Sequence, residues 1–179
     1  MKIKSLLIIL LFFFTAAQSQ TKVLTGAKHI ISIDIPKNWT PVVNRQLPLF
    51  LKPDENVSAN TYMYVYALDY NIAPDMNKWI QEDINGFEGK HPGTQFETML
   101  LNMPNLTDNG YQTGRYKILI YTYDDTRKQV TLVVESKNTI TALVLSTVDA
   151  DEYNKYMPSF IEAAKSIKVL GRNAKIERQ

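Results

Sequence analysis

Five tyrosines give the sequence its clearest candidate for a binding surface. Tyr62, Tyr64 and Tyr66 alternate along one segment, and Tyr121 and Tyr123 alternate along another. Because side chains two residues apart on a β-strand project from the same face, each set would form a row of rings. Such rings could stack on sugars or contact a protein, since each offers rigid contact area and a polar tip. Packing beneath a covering helix is the commoner role of such rows, because tyrosine favours strands and aromatic pairs stabilise sheets.

Nucleophilic chemistry finds little support in the sequence. His29 and His91 are the only histidines, and no G-x-S-x-G motif accompanies them. The absence of cysteine excludes a thiol nucleophile and a Cys-ligated metal centre. A hydrolase would need one histidine within about 3 Å of a Ser or Thr hydroxyl and an acid. We therefore predict no catalytic residue, and keep a periplasmic hydrolase or a metal-dependent enzyme with an unrecognised site as the alternative.

Two acidic clusters could suggest a bound cation. Asp124 and Asp125 lie in a predicted turn, and Asp149, Asp151 and Glu152 begin a predicted helix. Ca²⁺ takes about 6 to 8 oxygen ligands, so a pair of aspartates supplies too few. Aspartate is favoured in turns because it bonds its own backbone, and acidic residues in a first helical turn complement the helix dipole. We predict no metal ligand and no cofactor.

The N-terminal segment has the form of an export signal. Lys2 and Lys4 precede an apolar run from Leu6 to Phe14, and small residues follow it. This run is shorter than the roughly 20 residues that a helix needs to cross a bilayer. We expect residues 1–20 to be a signal peptide, so that the product is periplasmic or extracellular, with no transmembrane anchor after cleavage.

Charge and length limit the classes of protein that the rest of the chain can form. Removing residues 1–20 takes away two lysines and no acid, so 20 basic and 18 acidic residues become 18 and 18. A balanced chain does not favour nucleic acid or anionic lipid, which need clustered basic residues. The length suits one domain without a disulfide or metal to stabilise it. We expect a single domain over 21–170 and a polar tail over 171–179.

Hydrophobic periodicity predicts the elements that position the candidate residues. Helices should begin at Asp75 and Asp149, each an N-cap, and Pro158 should kink or divide the second. Trp39, in a turn, and Trp79, on the first helix, are interpreted as packing residues.

Strands are predicted over 30–35, 47–52, 60–70, 95–103, 116–123, 129–136 and 139–148. The strand at 47–52 is predicted to be a short edge strand. The last three strands are predicted to form an antiparallel meander that is covered on both faces.

Two sequence motifs and this meander resemble a known family. The motifs are ISIDIPKNW at 31–39 and FIEAAKSIKV at 160–169. Over about residues 28–170 the chain resembles the PsbP-like family, which includes DcrB-type bacterial exported proteins. The resemblance implies an α+β fold, an α/β/α sandwich in which helices flank an antiparallel sheet, and use as an adaptor or accessory module.

We therefore expect an exported, non-enzymatic binding or accessory module of the bacterial cell envelope. Its partner would be an envelope protein or a small ligand. A binding role requires that the face of Tyr62, Tyr64 and Tyr66 be exposed and concave rather than buried under the first helix. A further possibility is a domain that bridges envelope components through an exposed apolar edge strand at 47–51.

Overall fold

The computed structural model describes residues 20–55 and 57–173. The predicted signal peptide lies outside the described residues except for Gln20, as does the end of the predicted tail. The strands are β1 (Gln20–Thr25), β2 (His29–Ile35), β3 (Trp39–Pro41), β4 (Leu49–Pro53), β5 (Tyr62–Asp69), β6 (Gln95–Met99), β7 (Gln112–Thr122), β8 (Lys128–Ser136), β9 (Thr139–Thr147) and β10 (Lys168–Gly171). The helices are α1 (Met76–Lys90) and α2 (Ala150–Ser166).

Seven strands form the central sheet, and every neighbouring pair in it is antiparallel. Their order is β3-β4-β5-β9-β8-β7-β6, so the predicted meander of β7, β8 and β9 is confirmed. Strand β9 is apolar on both faces and is buried at every position except Ser146. Both of its faces must therefore be covered, and the two helices contribute to this on opposite sides.

Helix α2 covers one face of this sheet and forms the larger core. The helix begins at the predicted cap, where the Asp149 carboxylate accepts a hydrogen bond from the Glu152 amide at 2.8 Å. It continues through Pro158 without dividing. Phe160, Ala163 and Ala164 are fully buried against the sheet and against the isoleucines of β2.

Helix α1 covers part of the opposite face. Its predicted cap is also confirmed, since the Asp75 carboxylate accepts hydrogen bonds from the amides of Asn77 and Lys78. Only Met76 and Ile80 of this helix are buried. The core on this side is correspondingly small, and α1 leaves part of the sheet uncovered.

A second sheet was not predicted. It has three strands in the order β1-β2-β10, so the first predicted strand does not join the meander. Strand β1 was missed because none of its residues is buried, and β10 because it has four residues of which one is buried, so neither shows a clear alternating pattern. The prediction of a single sheet is therefore corrected to two.

The prediction of an edge strand near 47–52 is also wrong. Strand β4 lies between β3 and β5, with Leu49 and Leu51 buried. The segment with Trp39, interpreted as a turn, forms β3 and supplies the sheet edge instead. Pro53 is tolerated because it lies opposite Trp39 at the end of β4. The bridging role proposed for the edge strand at 47–51 thereby loses its structural basis.

Candidate ligand-binding cleft

All five predicted tyrosines lie on the face of the seven-stranded sheet that α1 covers. Tyr62 is opposite Ser146, Ser146 is opposite Gln129, and Gln129 is opposite Tyr121. One cross-strand row thus joins the two tyrosine sets. Alternation along each strand places Tyr64, Tyr66 and Tyr123 on the same side of the sheet. The structure brings the two sets to one surface.

The tyrosines differ in exposure along this surface. Tyr121 is fully buried and Tyr123 is nearly so, and both pack in the small core with residues of α1. Tyr62, Tyr64 and Tyr66 are half-buried. The first pair therefore packs beneath α1, while the second set keeps ring surface open to solvent. Of the five tyrosines, Tyr62, Tyr64 and Tyr123 line the cleft described below.

The half-buried rings form a continuous ladder. The centroids of Tyr62 and Tyr64 are 6.0 Å apart, and those of Tyr64 and Tyr66 are 5.9 Å apart. Phe50 continues the ladder at one end, 5.2 Å from Tyr62, and Trp79 of α1 ends it 6.4 Å from Tyr66. Trp79 is thus a packing residue, as interpreted, and it covers Tyr66 more than the other two.

A cleft of about 440 Å³ opens between this ladder and the C-terminal half of α1. Its volume is within the usual range of ligand pockets, about 300–1,000 Å³. It is lined by Tyr62, Tyr64, Glu82, Asp83, Gly86, Phe87, Lys90, His91, Tyr123, Arg127, Gln129 and Ser146.

Asp83 brings a carboxylate from α1 into the lining of the cleft. The Tyr121 hydroxyl donates to Asp83 Oδ2 at 2.6 Å. Burial raises the pKa of Asp83, although the Tyr121 hydrogen bond and the charge of Lys90 oppose that shift. Oδ1 has no hydrogen-bond partner within residues 20–55 and 57–173, so it can accept a proton donor from a ligand.

Arg127 forms one rim of the cleft and is held in place by the turn before β8. Its guanidinium binds the Asp125 carboxylate at 2.8 to 2.9 Å and lies 4.6 Å from the centroid of the Tyr123 ring. His91 contacts the same ring edge-on at 5.1 Å. Asp125 is therefore part of an ion pair, and the described residues contain no group of three or more acidic or histidine side chains arranged to hold a metal.

Several polar atoms in the cleft have no internal partner. Across the described part of the chain, the hydroxyls of Tyr62, Tyr64 and Ser146 make no hydrogen bond, and neither does the His91 ring. Burial raises the pKa of Tyr64 and raises that of Tyr123 to about 12, so both phenols are protonated at neutral pH. The cleft thus presents both donors and acceptors to whatever occupies it.

Within the described part of the chain, neither histidine ring makes a hydrogen bond with a Ser or Thr hydroxyl. His29 Nδ1 lies 2.7 Å from Asp69 Oδ1, and the Thr139 hydroxyl donates to the same oxygen at 2.8 Å. The hydroxyl therefore contacts the acid and not the imidazole. A side chain at Gly26 would lie 2.1 Å from the His29 ring, so the ring is closely packed against the backbone there. This network joins the three-stranded sheet to the seven-stranded one.

Sequence reasoning missed most of the polar lining. Asp83 is one of the polar residues between the apolar positions of α1, yet it lies three residues after Ile80 and four before Phe87. Helical spacing places it on the apolar stripe, which was an available signal. Gln129 and Ser146 offered a second signal, because each is a polar residue within an apolar strand of the meander.

The fold resembles two solved structures from bacteria. One is the solution structure of cyanobacterial PsbP (CyanoP) from Synechocystis sp. PCC 6803. It has a TM-score of 0.52 and 14% identity, covering 87% of this chain and 96% of that chain. The other is LpqN, involved in cell envelope biogenesis of Mycobacterium tuberculosis, with a TM-score of 0.52 and 17% identity, covering 84% and 90%.

These likenesses confirm the predicted α+β class and the PsbP-like fold. At such identities they establish the fold alone. No family model matches the sequence, and no curated protein sequence matches it, so the DcrB-type relation stays a prediction. Within the described ranges, neither helix is long and apolar enough to cross a membrane.

Proposed function

We propose that this protein is an exported, non-enzymatic binding module of the bacterial cell envelope, and that its ligand binds in the cleft between α1 and the tyrosine ladder. Export is supported by the basic and apolar leader over residues 1–20. An envelope role is supported by the fold shared with LpqN, which is involved in cell envelope biogenesis.

One observation carries the binding role. The half-buried rings of Tyr62 and Tyr64 line an open cleft beside hydroxyls that have no partner among the described residues. Because these hydroxyls are accessible in the cleft, a ligand can take the hydrogen bonds that water otherwise makes with them. Open rings with free polar tips are typical of a contact surface.

Gly86 offers a way to close the cleft without disturbing the core. It lines the cleft, and a Cβ at this position would meet no atom within 4 Å. Gly86→Leu would therefore place a side chain in the open space. Gly89 provides a matched control, because it lies in the same helix, does not line the cleft, and has equally open surroundings.

The test measures thermal unfolding against sugars, short peptides and divalent cations. A ligand that binds the folded state raises the unfolding midpoint according to RT ln(1 + [L]/Kd). We expect a shift with at least one compound that Gly86→Leu abolishes and Gly89→Leu preserves. If every shift survives Gly86→Leu, or none occurs across the panel, the proposed cleft is not the binding site.

Export is tested separately by fractionating cells that express the full chain and sequencing the N-terminus of the product. We expect a periplasmic or secreted protein that begins close to residue 21. Recovery of the uncleaved chain inside the cell would contradict the export part of the proposal and leave the cleft experiment unaffected.

A further inference from the structure

We infer that the ligand class of the cleft is a neutral saccharide, an inference that rests on the proposed function. The lining is the first reason. Ten of the twelve lining residues carry a polar or charged side-chain atom, and Phe87 is the only wholly apolar side chain among them. A lipid chain would leave most of these groups without partners, at a cost of about 1–3 kcal/mol for each one desolvated.

The arrangement of rings and polar groups is the second reason. Tyr62 and Tyr64 present successive rings 6.0 Å apart along one strand, so consecutive units of a short chain ligand could each contact a ring. Asp83 Oδ1 accepts, and the free hydroxyls of Tyr64 and Ser146 both donate and accept. A ligand that carries many hydroxyl groups and apolar C–H faces matches both features at once.

The charges around the cleft argue against an ionic ligand. An anion would meet the carboxylates of Glu82 and Asp83, and a cation would meet Lys90 and Arg127. Charges of both signs at the same site make neither kind of ion favourable, because the like-charged pair opposes the attraction of the other.

Cation binding to the rings is further disfavoured, because two of them already hold cations of the protein. The Arg127 guanidinium lies 4.6 Å from the centroid of Tyr123, and the Lys52 ammonium lies 5.3 Å from that of Tyr62. Among the described residues, no cation lies over the Tyr64 ring, and the Tyr64 hydroxyl is free in the same cleft. These contacts therefore favour a neutral polyol as the ligand.

The test is isothermal titration calorimetry of the purified protein with defined probes. Neutral probes are maltotriose, cellotriose and triacetylchitotriose. Trigalacturonate represents an acidic saccharide, choline a cation and trialanine a peptide. Four variants are compared with wild type: Gly86→Leu, Gly89→Leu, Tyr64→Ala and Tyr64→Phe.

We expect at least one neutral trisaccharide to bind more tightly than trigalacturonate, choline and trialanine. Gly86→Leu and Tyr64→Ala should weaken that binding about tenfold or more, which corresponds to about 1.4 kcal/mol. Tyr64→Phe keeps the ring and removes one hydrogen bond, so it should weaken binding about threefold to tenfold. Gly89→Leu should change it less than about twofold.

Two results would overturn the assignment of a neutral saccharide. In the first, choline, trigalacturonate or trialanine binds most tightly and Gly86→Leu abolishes that binding, which refutes a neutral saccharide and upholds binding in the cleft. In the second, no neutral trisaccharide binds, or its binding is insensitive to Gly86→Leu. The thermal-unfolding panel then decides independently whether the cleft binds any ligand.

Discussion

Asp69 connects the two sheets of the molecule through a single side chain. Its carboxylate binds the His29 ring at 2.7 Å, the Thr139 hydroxyl at 2.8 Å and the Lys28 amide at 3.1 Å. Burial by itself would raise the pKa of Asp69, but these hydrogen bonds outweigh it and hold the pKa below its ordinary value. The ionised carboxylate therefore stabilises the folded state.

The pH dependence of stability depends on the direction of that shift. Because the folded-state pKa of Asp69 lies below the unfolded value of about 3.9, the stabilisation is present above that pH and is lost as the pH falls through the folded-state pKa. We expect Asp69→Asn to lower the free energy of unfolding by about 1–3 kcal/mol at pH 7 and to flatten its decline below about pH 4. Urea denaturation from pH 2 to 7 measures both.

Asp124→Asn serves as the control for Asp69, because Asp124 is exposed in a turn and its side chain makes no hydrogen bond within the described ranges. Its effect should remain within about 0.5 kcal/mol at every pH. An Asp69→Asn variant that keeps the acid slope of wild type would show that other carboxylates cause the acid response.

Thr126 is strained where the turn positions Arg127. Its φ is 74°, in the left-handed region that β-branched residues avoid. We expect Thr126→Gly to raise the free energy of unfolding by about 1 kcal/mol, measured by urea denaturation. Asn38 has a similar φ of 63°, but asparagine tolerates this region, so Asn38→Gly should gain less than about 0.5 kcal/mol. Equal gains at both positions would contradict the assignment of strain to Thr126.

At the scale of elements, the Asp75 cap stabilises the N-terminus of α1. The Asp75 carboxylate accepts from the Asn77 amide at 2.9 Å and from the Lys78 amide at 3.2 Å. We expect Asp75→Ala to lower the free energy of unfolding by about 1 kcal/mol, measured by thermal and urea denaturation. Asp75→Asn should retain most of the stability, because the amide oxygen can still accept. A loss as large with asparagine as with alanine would show that charge, rather than the hydrogen bonds, stabilises the end of the helix.

Local patterns were enough to predict the meander, both helices and both N-caps, because these features depend on residues close together in sequence. Contacts between residues far apart in sequence could not be predicted from local patterns. Glu135 illustrates the limit: from β8 its carboxylate accepts from the Met76 amide at the start of α1 and binds Arg115 at 3.0 Å. Nothing in a strand sequence indicates which helix end it will face.

The same distinction between local patterns and long-range contacts applies to the candidate cleft. Tyr62, Tyr64 and Tyr66 were found by strand alternation, and Tyr121 and Tyr123 by the same rule. Whether the two sets share one face depends on the register through β9 and β8. That register cannot be read from the alternation pattern of any single strand. The order β5-β9-β8-β7 brings the two sets together, and the uneven cover by α1 decides which of them remain open.

At the scale of the whole molecule, the two faces of the central sheet are unequally supported. Helix α2 has four buried residues and packs in the larger core together with β2. Helix α1 has two, Met76 and Ile80, and the cleft opens beneath its C-terminal half. Since stability varies with buried apolar contact, local opening should begin at α1.

Hydrogen exchange at increasing urea concentration, read by mass spectrometry, measures this difference. We expect amides of α1 to exchange through an opening at least about 2 kcal/mol lower in free energy than that of β9, while α2 exchanges only close to global unfolding. Gly86→Leu should slow exchange in α1, because it adds a contact in the cleft and improves helix propensity. If α1 and β9 amides exchange with the same free energy, α1 unfolds only with the rest of the protein. A ligand would then have to enter the cleft without local unfolding of α1.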